Sequence, residues 1–188
     1  MALAIAGAAM QASEPWFALF ILVGFHSFLR TTELLELTAG QVLAGQHSNE
    51  VVLDLGYTKS GKRKGVRELV VLDEPYTVAV LKIALLHCDP HALLIRSSAA
   101  HWRRNFNRFV ELAGLSGFGL KPYSLRRGGA TSFFVHTGSL ALALERGRWN
   151  QSGTARIYLT EGRVTAQFVA IPQDLRQRLE KLAAMWQW

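Results

Sequence analysis

Two strand-like runs, VVLDLGY (51–57) and VRELVVLD (66–73), lie close together ahead of a long stretch that reads almost entirely as helix. A hairpin alone is marginal in water, so this order requires helices to cover one of its faces. It also excludes the strand–helix alternation of a parallel sheet. The expected class is α+β, mainly helical, with a small antiparallel sheet near the N-terminus. The 188 residues, 49% hydrophobic, suffice for one sizeable core, and no fixed-period repeat or low-complexity linker divides them. A single domain over residues 1–188 is the expected organisation.

The turn between the two strands carries the densest charge. Lys59, Lys62, Arg63, Lys64 and Arg67 fall between Tyr57 and Arg67 with no acid among them, and Gly61 and Gly65 supply turn residues. Across the chain 21 Lys and Arg face 14 Asp and Glu, a net charge of +7 that suits a polyanionic partner. The single cysteine, Cys88, excludes an intramolecular disulfide and a multi-cysteine metal site. The opening MALAIAGAAM lacks the basic flank of a secretory signal, and the apolar run from Pro15 to Phe25 is too short to span a bilayer. An intracellular protein without membrane attachment is expected.

Helix signals punctuate the rest. Ser13, Glu14 and Pro15 open a buried helix through WFALFILVGF, Thr32 is placed to cap the ELLEL turn, and LTAGQV reads as strand material. Asp73 is placed to cap a helix with Pro75 in its first turn and Val78, Leu81, Ala84 and Leu85 at helical spacing. Ser97 or Ser98 begins another, with Trp102, Phe106, Phe109 and Val110 on one face and Gly114 at its end. Ser124 starts a helix closed by Gly138, LALALER and Gln151–Leu159 form two short ones, and a last follows Pro172.

Four separated segments hold side chains suited to phosphoryl transfer. FLRTTELLEL sets Arg30 and Glu33 one turn apart, a spacing that an ordinary surface ion pair also satisfies. TKSGK holds Lys59 at the hairpin tip, where a solvated turn and a phosphate contact are both open readings. KPYSLRRGGATSFF places Gly128 and Gly129 inside an apolar helix, at about 1 kcal/mol each relative to alanine, so a close approach is expected there. RGRWNQSGTARIYL spaces Trp149 and Tyr158 nine residues apart; alone it also reads as a capped helix with a core tyrosine.

In order and internal spacing these segments resemble the boxes of the tyrosine recombinase, or phage (lambda) integrase, family catalytic domain from Trp16 to Gly162. The resemblance puts Arg30 and Arg126 at the two catalytic arginines, Glu33 at the structural acid, and Lys59 at the hairpin lysine, with Lys62 and Lys64 as competitors. Trp149 falls where the family has histidine or tryptophan, and Tyr158 at the nucleophile. Tyr123 departs from the pattern, standing where most members carry histidine. Lys62, Arg63, Lys64, Arg103, Arg104 and Arg127 are expected to contact DNA, and the hairpin tip with Arg103, Arg104 and Arg126 is expected to form one positive face.

The implied chemistry is attack of a tyrosine hydroxyl on a phosphodiester, giving a 3′-phosphotyrosyl link and a free 5′-hydroxyl without cofactor or metal. Guanidinium forks suit the charged transition state, and a lysine can protonate the leaving oxygen. The indole N–H of Trp149 donates a hydrogen bond but cannot transfer a proton as histidine does, and a phenol near pKa 10 at Tyr123 is a poor base. The Tyr158 proton has three possible destinations: water, Lys59 or a phosphate oxygen. The implied partner is double-stranded DNA, with a homo-oligomer on it as an open possibility. The family's N-terminal core-binding domain is expected to be absent, since only about a dozen residues precede the first helix read above, against the ~50 of a small domain. A catalytically weak or inactive DNA-binding relic and a type IB topoisomerase are the alternatives, and the helix after Pro172 is expected to pack either on its own domain or on a neighbouring copy.

Overall fold

The computed structural model describes residues 1–45, 47–58, 65–149 and 169–186. Lys59, Lys62, Arg63, Lys64, Tyr158 and the helix expected over Gln151–Leu159 lie outside the described residues.

The chain opens on a helix the sequence reading did not assign, α1 (Ala2–Gln11), whose small residues Ala4, Ala6, Gly7, Ala8 and Ala9 are buried. The helix expected first is α2 (Pro15–His26), with Pro15 at its N-terminal position and Ala18 through Gly24 buried without interruption. Apolar on every side, α2 is the central rod of the core. It packs against α1 and three later helices: α3 (Thr31–Glu36), α4 (Pro75–Leu85) and α6 (Ser124–Thr137).

LTAGQV is only partly strand. Ala39–Gln41 forms a 3-10 turn before the short β1 (Val42–Ala44), which joins β2 (Val51–Asp54) and β3 (Leu69–Leu72) in an antiparallel sheet of order β1-β2-β3. Val42 pairs with Leu53 and Leu53 with Val70, so one row of side chains enters the core from all three strands. Beyond β2, Leu55 and Gly56 exchange backbone hydrogen bonds with Glu68, each 2.9 Å, which carries the hairpin past its regular strands and fixes Glu68.

α4 is capped by Glu74 rather than Asp73: its carboxylate accepts from the Tyr76 and Thr77 N–H groups. Asp73 instead pairs with Arg146. The Ser98 hydroxyl caps α5 (Ala99–Leu112), and Trp102, Phe106, Phe109 and Val110 form its buried face as expected. Full burial of each aromatic contributes roughly 2–3 kcal/mol. After α6 and its left-handed Gly138 come α7 (Leu140–Gly147) and, later, α8 (Gln173–Ala184). α8 packs on its own domain, against α1, where a Cβ on Gly7 would sit 1.9 Å from the Leu182 carbonyl oxygen. No described helix is long and apolar enough to cross a membrane.

Candidate active site

The end of α2, the start of α3, the start of α6 and the end of α7 meet around one carboxylate. Arg30 immediately precedes α3 with an extended backbone, φ −69° and ψ 150°. Thr32, expected as the cap, lies inside the helix; Glu33 caps it by reaching back to accept the Arg30 backbone N–H at 2.7 Å. The Glu33 carboxylate also pairs with Arg30 Nη1. This is not a solvated surface pair, because the Glu33 side chain is only 8% exposed, against 33% for Arg30.

A third residue completes the cluster. Arg148 Nη2 donates to Glu33 Oε2 at 2.7 Å, and its Nε lies 3.5 Å from Glu68 Oε2 across the hairpin. Sequence reasoning missed both Arg148 and Glu68. Arg148 follows α7 with φ +56° and ψ 38°, a left-handed position that usually holds glycine or asparagine.

Arg126 is brought to the same place but faces inward. It is 1% exposed, so it lies beneath, not on, the positive face expected for it. Its Nη1 donates to the Phe28 carbonyl and its Nη2 to the Gly147 carbonyl at 2.6 Å. Phe28 has φ +49°, and Gly147 immediately precedes left-handed Arg148. Two strained turns, ending α2 and α7, therefore aim their carbonyls at one guanidinium. The Arg126 Cζ sits 5.0 Å from the Trp149 ring centroid. That indole also lies over Gly147, where a Cβ would meet its Cζ3 at 2.2 Å, so the position requires glycine.

The glycine pair in α6 has the close approach that its sequence implied. A Cβ on Gly129 would sit 1.9 Å from the Phe25 carbonyl oxygen, and one on Gly128 would touch the Phe25 ring at 3.3 Å. Without side chains there, α6 settles onto α2 and sets Arg126 against the turn at Phe28. Tyr123 stands just before α6 and is 41% exposed. Arg103 and Arg104 are exposed on α5, and Arg127 is half-buried.

Burial and crowding shape the charges. Arg126 is pushed down to about 10, first by burial and then by repulsion from Arg148 and Arg30. It stays protonated at neutral pH. Burial also lowers Arg148, with Glu33 and Glu68 opposing the shift. For Glu33 burial acts upward, yet the Arg148 charge and the Arg30 N–H and guanidinium outweigh it and hold the carboxyl below its ordinary value. Beside the cluster, a cleft of 560 Å³ is lined by Arg30, Thr32, Glu33, Glu36, Tyr57 and Thr58, among others.

Comparison with protein-family models and with curated proteins finds no match. Solved structures do match. The XerH site-specific recombinase bound to its difH substrate, in a pre-cleavage complex, superposes with a TM-score of 0.66 at 19% identity, covering 82% of this chain and 47% of that one. The same recombinase on palindromic difH, in a post-cleavage complex, gives 0.67 at 20% identity, covering 100% of this chain and 52% of that one. The chain thus spans about half the length of the recombinase chains it matches. Its fold, mainly helical with a three-stranded antiparallel sheet, is that of a tyrosine recombinase catalytic domain.

Proposed function

We propose that this chain, which has the tyrosine recombinase fold, cleaves and rejoins duplex DNA through a 3′-phosphotyrosyl intermediate formed by Tyr158. The observation that carries the reading is that Arg30 shares Glu33 with Arg148 while Arg126 holds the Gly147 carbonyl and packs on Trp149, so segments far apart in sequence meet at the end of α7. Arg30, at the mouth of the cleft and partly exposed, takes a non-bridging phosphate oxygen. Arg126 braces the turns at Phe28 and Gly147 and supplies positive potential from below, where low solvent access strengthens it. Trp149 packs on Arg126 and offers its indole N–H to phosphate. Lys59 protonates the leaving 5′-oxygen, and Arg103, Arg104, Arg127, Lys62, Arg63 and Lys64 contact the DNA backbone.

Incubation with nicked duplexes that trap the covalent intermediate tests the reading. A protein–DNA adduct that persists in denaturant is expected, and Tyr158→Phe lowers its yield by about 10³-fold or more while binding is nearly unchanged. An adduct that maps to Tyr123 contradicts the assignment. A DNA-binding domain without turnover is the second reading, favoured by the two carbonyls that already occupy the Arg126 fork. Duplex binding without any adduct supports that alternative.

A further inference from the structure

Arg148 has no role in the chemistry above, yet it combines three features that seldom occur together. Its backbone is left-handed at a non-glycine residue, its side chain is only 8% exposed, and its Nε and Nη1 have no hydrogen-bond partner among the described residues. The backbone conformation is unfavourable for arginine, so the side chain's interactions must hold it there. Arg30, Arg126 and Arg148 share the site with two carboxylates, Glu33 and Glu68, and the other acid lining the cleft, Glu36, is exposed to solvent. Among the described residues, Arg148 Nε and Nη1 on one side and Glu68 Oε2 on the other are buried without a hydrogen bond, so Arg148 is held chiefly by Glu33.

We propose that Arg148 is a positioning residue that keeps Glu33 neutralised while Arg30 turns from Glu33 onto a phosphate. This rests on the reading of the chain as a DNA-cleaving domain. With Arg30 as its only cation, Glu33 would be stranded as a buried charge whenever Arg30 moved, and Arg30 would stay where it is. Arg148 donates to Glu33 Oε2, whereas the Arg30 guanidinium uses Oε1, so one contact survives the loss of the other. The same ion pair holds the backbone on which the Gly147 carbonyl meets Arg126 and Trp149 begins.

Removing the charges singly and together tests this in the full chain. Arg148→Gly suits the left-handed backbone; it is expected to slow single-turnover capture of nicked duplex about 10- to 100-fold, with duplex affinity within about threefold of the parent. Adding Glu33→Gln restores most of the lost rate, because no buried carboxylate then holds Arg30. A residue that merely supports the fold predicts the reverse, a double variant no faster than Arg148→Gly, and that result overturns the proposal. Arg148→Gln keeps a donor to Glu33 but not the charge; it behaves as Arg148→Gly and serves where the glycine variant does not fold. Thermal unfolding in inorganic phosphate, against chloride at equal ionic strength, reads the same cluster without cleavage. Phosphate stabilises the parent and the double variant but not Arg148→Gly. If the parent captures no DNA and this pattern holds, the cleavage reading fails and the role of Arg148 stands. If phosphate stabilises all three alike, the role of Arg148 is refuted whatever the capture result.

Discussion

Gly7 of α1 and Gly129 of α6 make the same kind of contact in two regions of the molecule. At each, a Cβ would lie 1.9 Å from a backbone carbonyl oxygen, that of Leu182 for Gly7 and that of Phe25 for Gly129. Around Gly7 the neighbours are apolar: Ala4, Ile5, Ala8, Leu179 and Leu182 belong to one core. Around Gly129 the contact sits one turn from Arg126 and three residues before Phe28, whose carbonyl Arg126 holds. The first close approach contributes cohesion alone, whereas the second also determines where a buried guanidinium finds its acceptors.

The largest effect expected from this contrast is at Arg126. Arg126→Met leaves the Phe28 and Gly147 carbonyls without their donor, and urea unfolding followed by circular dichroism is expected to show a loss of about 3 kcal/mol. DNA capture is lost with it. A stability equal to the parent's would mean that Arg126 braces nothing. Next come the two glycines: Gly7→Ala and Gly129→Ala each force helices apart and cost about 2 kcal/mol. Only Gly129→Ala is expected to abolish stabilisation by inorganic phosphate; if Gly7→Ala does so as well, the division between the two regions fails.

The smallest effect concerns pH. The Glu33 carboxyl is held below its ordinary value in the folded chain, so its contribution to stability is complete above the ordinary carboxylate range and is lost as pH falls through the lower folded value. Melting temperature should therefore drop on acidification from pH 6 toward about pH 3, and Glu33→Gln should narrow that drop. An identical drop in the variant would assign the acid sensitivity to other groups, such as Asp54 or the buried His26, whose burial lowers its pKa.

The fold class, the hairpin and the apolar face of α5 were legible because each has a periodic pattern and a punctuating turn. α1 was not: an alanine-rich helix buried along most of its length has no apolar stripe to detect. The caps at Glu33 and Glu74 were misassigned for a different reason, since several acceptors sit within a residue or two and only the folded backbone selects among them. Of the candidate site residues, Arg30, Glu33, Arg126 and Trp149 were singled out by motif spacing. Arg148 was hidden because its partners, Glu33 and Glu68, are distant in sequence. One signal was available: an arginine at the position just after a helix, where glycine or asparagine is usual.

The pairing of α1 with α8 joins segments from opposite ends of the described chain. During synthesis α1 leaves the ribosome long before its partner exists, and contacts of such long sequence separation form slowly. Until α8 arrives, the α1 face that meets Leu179 and Leu182 stays open to water, so the nascent chain is most prone to aggregation in that interval. A stop codon ahead of α8 would make that interval permanent.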